Sequence, residues 1–164
     1  MRTDCSGFRS LSFLAALAPF LAACASDRPA AVEPASAAVT AGVSTQSLIG
    51  SWGVGAYHRD EDRARTEREA RAQCRNPYVI KAGSAGGVMM HLADEKDPFE
   101  LIVTTRNGRA ILGPDNAPDA YNDREIIAFD PNSFTTKWLD PDIASRYGTT
   151  VYVRCGASTA PRRG

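Results

Sequence analysis

The chain has 164 residues, with 19 Lys and Arg against 19 Asp and Glu and a formal net charge of zero. From residue 48 onward the balance persists, 16 against 16, which argues against a nucleic-acid surface or a polybasic membrane patch. The length suits a single domain with accessory segments.

The first of these segments is N-terminal. Arg2 and Arg9 precede an apolar run from Leu11 to Ala23, 13 residues long. That is the layout of an export signal, and it falls short of the ~20 residues a membrane-spanning helix needs. The run ends in Leu21-Ala22-Ala23-Cys24, which closely resembles the lipobox of bacterial lipoproteins. The resemblance implies that residues 1–23 are removed, that Cys24 becomes the first residue, and that acyl chains on it hold the protein in a membrane. Each buried methylene contributes about 0.8 kcal/mol, so several chains anchor almost irreversibly. In the sorting rule of enteric lipoproteins, Asp directly after the cysteine retains a protein in the inner membrane. Ala25 and Ser26 stand here instead, which implies the outer membrane, facing the periplasm, with the cell surface as the alternative side.

From Ala25 to Ser47 the chain is dominated by Ala, Ser, Thr, Val and Pro and has no aromatic residue. Such a stretch cannot bury a core. Residues 24–47 are therefore expected to be a lipidated cysteine and a flexible tether reaching about 25 to 30 Å. A globular domain follows over residues 48–157, and residues 158–164 are expected to be a disordered tail. Of the four cysteines, Cys5 lies in the signal and Cys24 carries lipid, leaving Cys74 and Cys155. A pair in an exported chain points to a disulfide. The competing reading, two free thiols with one a redox nucleophile, lacks a CxxC pair or a neighbouring His.

Within the domain, Leu48-Ile49-Gly50-Ser51-Trp52 leads into a strand ending near Tyr57. Arg59 to Arg75 contains no Gly or Pro, begins with Asp60, Glu61 and Asp62, and ends with Arg71 and Arg75. This polarity matches the helix dipole at both ends, and Asn76-Pro77 stops the run. Glu61 with Arg65 and Glu67 with Arg71 stand at the i,i+4 spacing of helical ion pairs. Thr66, Ala70 and Cys74 form a narrow stripe of small residues, predicted to lie on a sheet. The period then changes to two, giving strands over 78–81, 87–93, 100–106, 109–112, 125–130, 133–139 and 149–155. Asn107-Gly108 marks a type I′ hairpin and Asp130-Pro131-Asn132 a second turn. Val151, Val153 and Cys155 share one face, so the disulfide face is also apolar.

The predicted class is α+β: a curled antiparallel sheet or open β-barrel of about eight short strands with one helix packed on it. Leu48-x-Gly50-x-Trp52 resembles the opening of small calycin-like barrels, the lipocalins and the Inh-type protease-inhibitor lipoproteins. That resemblance implies that Arg154, near the end, covers Trp52. It departs where those families run directly into further strands, since a helix intervenes here. It departs again at the bridge, because Inh-type proteins close a short disulfide loop and Cys74 to Cys155 is long.

Chemistry-bearing motifs are sparse. Met89 and His91 share a strand face that suits Cu(I), but His58 is the only other histidine. Asp115, Asp119 and Asp123 lack the spacing and central Gly of a calcium loop. Neither histidine adjoins a GxSxG elbow. No catalytic residue, metal or cofactor is therefore assigned. The expected function is a non-enzymatic, lipid-anchored envelope protein that binds another envelope protein. The expected recognition elements are the loops 113–123 and 140–147, with Tyr121 and Tyr147 as anchors. The alternatives are a lipocalin-like carrier of a small apolar ligand, with a cavity lined by Val88, Met90, Leu101, Val103 and Trp138, and a periplasmic protease inhibitor acting through the segment before Leu48.

Overall fold

The computed structural model describes residues 42–114 and 121–156. The expected signal, Cys24, the tether up to residue 41 and the tail 158–164 lie outside the described residues, as do Asp115 and Asp119. Eight antiparallel strands follow one another around a closed barrel: β1 (Gly50–Tyr57), β2 (Tyr78–Ala82), β3 (Val88–His91), β4 (Pro98–Arg106), β5 (Arg109–Gly113), β6 (Arg124–Asp130), β7 (Ser133–Trp138) and β8 (Thr149–Arg154). Closure corrects the expectation of an open sheet. β1 pairs with β2 through Gly50, Ser51 and Trp52, then with β8 from Trp52↔Arg154 to Tyr57↔Thr149. Joining the first strand to the last leaves no long unpaired edge.

The hairpin between β4 and β5 turns at Asn107 and Gly108, with φ of 51° and 73°, as a type I′ turn requires. Between β6 and β7 the Asp130 side chain accepts from Asn132 N–H at 2.7 Å.

The helix α1 (Arg63–Ala72), entered and left through short 3-10 turns at Asp60–Asp62 and Gln73–Arg75, lies outside the barrel against β1 and β8. Its buried stripe is Thr66 and Ala70, as predicted, and Ala70 clusters with Val151 and Val153. Close approach depends on glycines: a Cβ on Gly53 would stand 1.9 Å from the Ala70 carbonyl oxygen, and one on Gly55 2.7 Å from Thr66 Cγ2. Directly after the helix, Cys74 bonds Cys155 with their Cα atoms 5.4 Å apart. The helix ion pairs differ from those expected. Arg63–Glu67 and Arg65–Glu69 form, and Glu61 turns to Arg59, because Glu61 lies in the 3-10 turn and not in the α-helix.

A second correction concerns residues 140–147, expected as a recognition loop. They form the short helix α2 (Pro141–Tyr147). Asp140 caps it by accepting from the N–H groups of Asp142 and Ile143 at 2.9 and 3.0 Å, and Pro141 occupies the first turn. Gly148, with φ of 68°, ends it.

Side chains fill the barrel interior. Trp52, Ile80, Val88, Met90, Leu101, Leu112, Ile126, Phe134 and Tyr152 belong to one buried cluster. The Phe134 ring stacks on Tyr152 at 4.1 Å and meets Trp52 edge-on at 4.8 Å. An eight-stranded barrel is just wide enough for such filling.

Each end is closed by an Arg–Trp pair. At one, Arg154 lies 4.1 Å from the centre of the Trp52 ring, as the calycin resemblance implies, and donates to the carbonyls of Ser47, Ile49 and Pro131. Trp52 Nε1 donates to the Leu48 carbonyl. The turn Thr45–Leu48, with its Ser44–Ser47 capping box, is thereby held across the barrel mouth, and Val103 N–H donates to Thr45 Oγ1 at 2.9 Å. Docked structure thus extends upstream of Leu48 into the expected tether. At the other end Arg124, 3% exposed, stacks 4.4 Å over Trp138 and donates to the His91 carbonyl.

Candidate functional site

The end of the barrel beyond Arg124 is where chemically distinctive side chains converge. Ala93, Trp138 and Ile143 make a small buried cluster there, under α2. On top of it sits Asp94, in the turn between β3 and β4. Its φ of 62° is one of two positive values on non-glycine residues among those described, a conformation that Asp tolerates better than most. The Asp94 carboxylate accepts four hydrogen bonds. Oδ1 takes Arg146 Nη1 at 2.8 Å and the Tyr147 hydroxyl at 2.5 Å; Oδ2 takes Arg146 Nη2 at 2.8 Å and the Tyr121 hydroxyl at 2.7 Å. An ionised carboxylate has about four acceptor positions, so this one is saturated and holds no position for a substrate proton.

The electrostatics follow from the contacts. The Arg146 guanidinium first, then the two phenols, hold the Asp94 carboxyl well below the usual carboxylate range. Hydrogen bonding to Asp94 in turn raises the Tyr121 and Tyr147 hydroxyls above the ordinary phenol value. Arg146 also lies 5.4 Å over the Tyr147 ring, whose centre is 6.0 Å from that of Trp138. Tyr121 and Tyr147 remain 42% and 38% exposed. Two segments distant in sequence from Asp94 are therefore pinned to one anion, and two aromatic rings are presented to solvent at fixed positions.

The sequence proposed Tyr121 and Tyr147 separately, as loop aromatics. The structure brings them together and places Tyr147 on a helix. Asp94 and Arg146 carry no sequence signal of their own. Asp94 sits in an unremarkable acidic turn, Ala93-Asp94-Glu95-Lys96-Asp97, and nothing local announces a tertiary partner 52 residues away.

The remaining motifs resolve individually. His91 Nδ1 lies 3.1 Å from the Tyr78 hydroxyl, which in turn accepts from His91 N–H. Among the described residues no three His, Cys, Asp or Glu side chains gather as a metal site. Asp123 is fully buried and pairs with Arg106 at 2.7 Å. Glu100 ties down the turn between β2 and β3, accepting from the N–H groups of Ser84, Ala85 and Gly87 at 3.0, 2.8 and 2.7 Å. These bonds, Gly87 first, lower its carboxyl below the usual range. The cavity lining expected for a carrier does not assemble as one surface: Val88, Met90, Leu101 and Val103 pack in the barrel core, whereas Trp138 belongs to the separate cluster under α2.

No family model matches the chain, and no curated protein or solved structure matches it either. What stands established is the architecture of the described residues, a small closed eight-stranded antiparallel barrel with one main helix and one short one outside it.

Proposed function

We propose that this is a non-enzymatic, lipid-anchored protein of the cell envelope that binds a protein partner through the Asp94 end of its barrel. The observation that carries this is the saturated Asp94 carboxylate, which fixes Arg146, Tyr121 and Tyr147 while leaving both rings exposed. Aromatic residues held rigidly in this way lose little conformational entropy on binding, which is why Tyr and Arg dominate interface hot spots. Attachment through acyl chains on Cys24, in the outer membrane facing the periplasm, completes the proposal and rests on the lipobox resemblance alone. No cofactor and no nucleic acid enter it.

Expression of the full chain in a Gram-negative host, followed by cross-linking in intact envelopes, tests this function. The expected result is a discrete cross-linked protein that disappears in Tyr121→Ala and Tyr147→Ala while both variants remain folded at the assay temperature. Undiminished cross-linking by both variants would sink the proposal. Labelling with a palmitate analogue, lost on Cys24→Ala, tests the anchor separately.

The carrier reading has one observation in its favour, the Arg154 guanidinium over Trp52 at the capped barrel mouth, a feature the calycin resemblance implies. Against it stands the packed cluster of aromatic and aliphatic side chains inside the barrel. Native mass spectrometry decides between them. A small apolar mass released on denaturation would favour the carrier.

A further inference from the structure

We propose that a cleft on the outer wall of the barrel, between the start of α1 and the end of α2, binds a small zwitterion of the amino-acid class. The site is separate from the aromatic face at Asp94 and does not depend on the partner-binding proposal. The cleft has a volume of about 280 Å³ and is bordered by Tyr57, His58, Asp60, Lys137, Gly148 and Thr149. Its floor follows from strand register: Tyr57 on β1 pairs with Thr149 on β8, which pairs with Lys137 on β7. Directly paired residues project from the same face of a sheet, so a phenol, a hydroxyl and an ammonium stand in a row beneath the opening.

The four titratable groups of this lining share one property. Tyr57 is 5% exposed, yet no hydrogen bond among the described residues reaches its hydroxyl. Its hydroxyl oxygen is nevertheless open to solvent and not sealed in the core. Lys137 lies opposite Glu125 on β6, but the Glu125 carboxylate is held by Arg109, and Lys137 has no ion pair among the described residues. His58 and Asp60 are likewise without side-chain partners, although their neighbours Arg59, Glu61 and Asp62 are paired with one another. Elsewhere on this surface Arg63, Arg65, Arg109 and Arg146 all have carboxylate partners. Arg71, Lys81, Glu95, Lys96 and Asp97 also lack an ion pair among the described residues, so what distinguishes Lys137 and Asp60 is that the two opposite charges border one cleft.

The charges select the ligand class. Lys137 offers one fixed cation and Asp60 one fixed anion, while the Tyr57 and Thr149 hydroxyls donate or accept. A simple anion satisfies Lys137 but meets Asp60, and a simple cation meets the reverse conflict. A molecule carrying a carboxylate and an ammonium a few bonds apart satisfies both. The volume lies just below the range of about 300 to 1,000 Å³ typical of larger ligands, which fits an amino acid.

Calorimetric titration of the full chain in detergent micelles tests this, with L-alanine, D-alanine and glycine as probes and propionate and ethylamine as single-charge controls. The expected result is saturable binding of at least one amino acid, at least about tenfold tighter than either control. Lys137→Met and Asp60→Asn are each expected to weaken it at least about tenfold at unchanged melting temperature, and Lys137→Arg to retain it. Absence of saturation up to about 10 mM of every amino acid, equal affinity for a control, or unchanged affinity in either charge-removing variant would overturn the proposal.

Discussion

Replacing Cys74 and Cys155 together with Ser probes how the outer helix is kept on the barrel. The bridge closes a loop with a sequence separation of 81. On the chain-entropy description this removes about 15 cal/mol/K from the unfolded ensemble, or about 4.5 kcal/mol at 25 °C. A domain of this size unfolds with an entropy of about 0.24 kcal/mol/K near its midpoint, so the loss corresponds to a drop of roughly 20 °C in Tm. The assay is urea and thermal unfolding of the oxidised wild type and the double-Ser variant, followed by tryptophan fluorescence. Trp52 lies inside the barrel core and Trp138 under α2, so the signal reports on both ends. Because the effect is assigned to the unfolded chain, the variant's m value is expected to equal or exceed that of wild type, reflecting a more expanded unfolded state. A Tm within a few degrees of wild type would refute the loop-entropy reasoning. A large drop with a reduced m value would instead locate the effect in a loosened native helix.

Gly53→Ala is expected to destabilise by about 2 kcal/mol or more in the same urea assay, because its Cβ falls 1.9 Å from the Ala70 carbonyl oxygen and backbone must move. Arg154→Met keeps an apolar stem over Trp52 but leaves the Ser47, Ile49 and Pro131 carbonyls without their donor. A loss of about 2 to 4 kcal/mol is expected, with faster amide exchange concentrated in residues 44–49. Asp94 carries a pH dependence of defined sign. Its carboxyl is depressed in the folded state, so its contribution is fully present above the unfolded value of about 4 and is lost as pH falls toward the lower folded value. Stability measured from pH 5 downward should fall less steeply in Asp94→Asn, which keeps the positive φ; an unchanged slope would refute the assignment.

Local chemistry was legible to within about two residues for the strands from β2 onward, and to within four for the helix, whose expected ends are 3-10 turns. The switch from a 3.6 to a 2.0 period, the charge polarity of residues 59–75 and the Asn107-Gly108 turn place the helix and all eight strands near their observed bounds. The shared face of Val151, Val153 and Cys155, set against the Thr66-Ala70-Cys74 stripe, anticipates both the helix packing and the bridge. α2, expected as a loop, carries its own sequence signal. Asp140-Pro141 with Gly148 is a cap, a first-turn proline and a terminator, a signal that outranks the polarity of the six residues between.

Barrel closure, the two Arg–Trp plugs and the Asp94 node were decided only in three dimensions. Closure pairs Trp52 with Arg154, about 100 residues apart, and periodicity along one strand says which face is buried but not which distant strand lies alongside. Asp94 acquires its meaning from Arg146 and Tyr147 on α2 and from Tyr121 in the segment before β6, two stretches far from it in sequence. The sequence by itself determined the elements and their apolar faces, because backbone dihedral preferences and side-chain period act over a few residues. The tertiary structure decided which polar groups meet, because a hydrogen bond or ion pair depends on distances of about 3 Å that only the closed barrel sets.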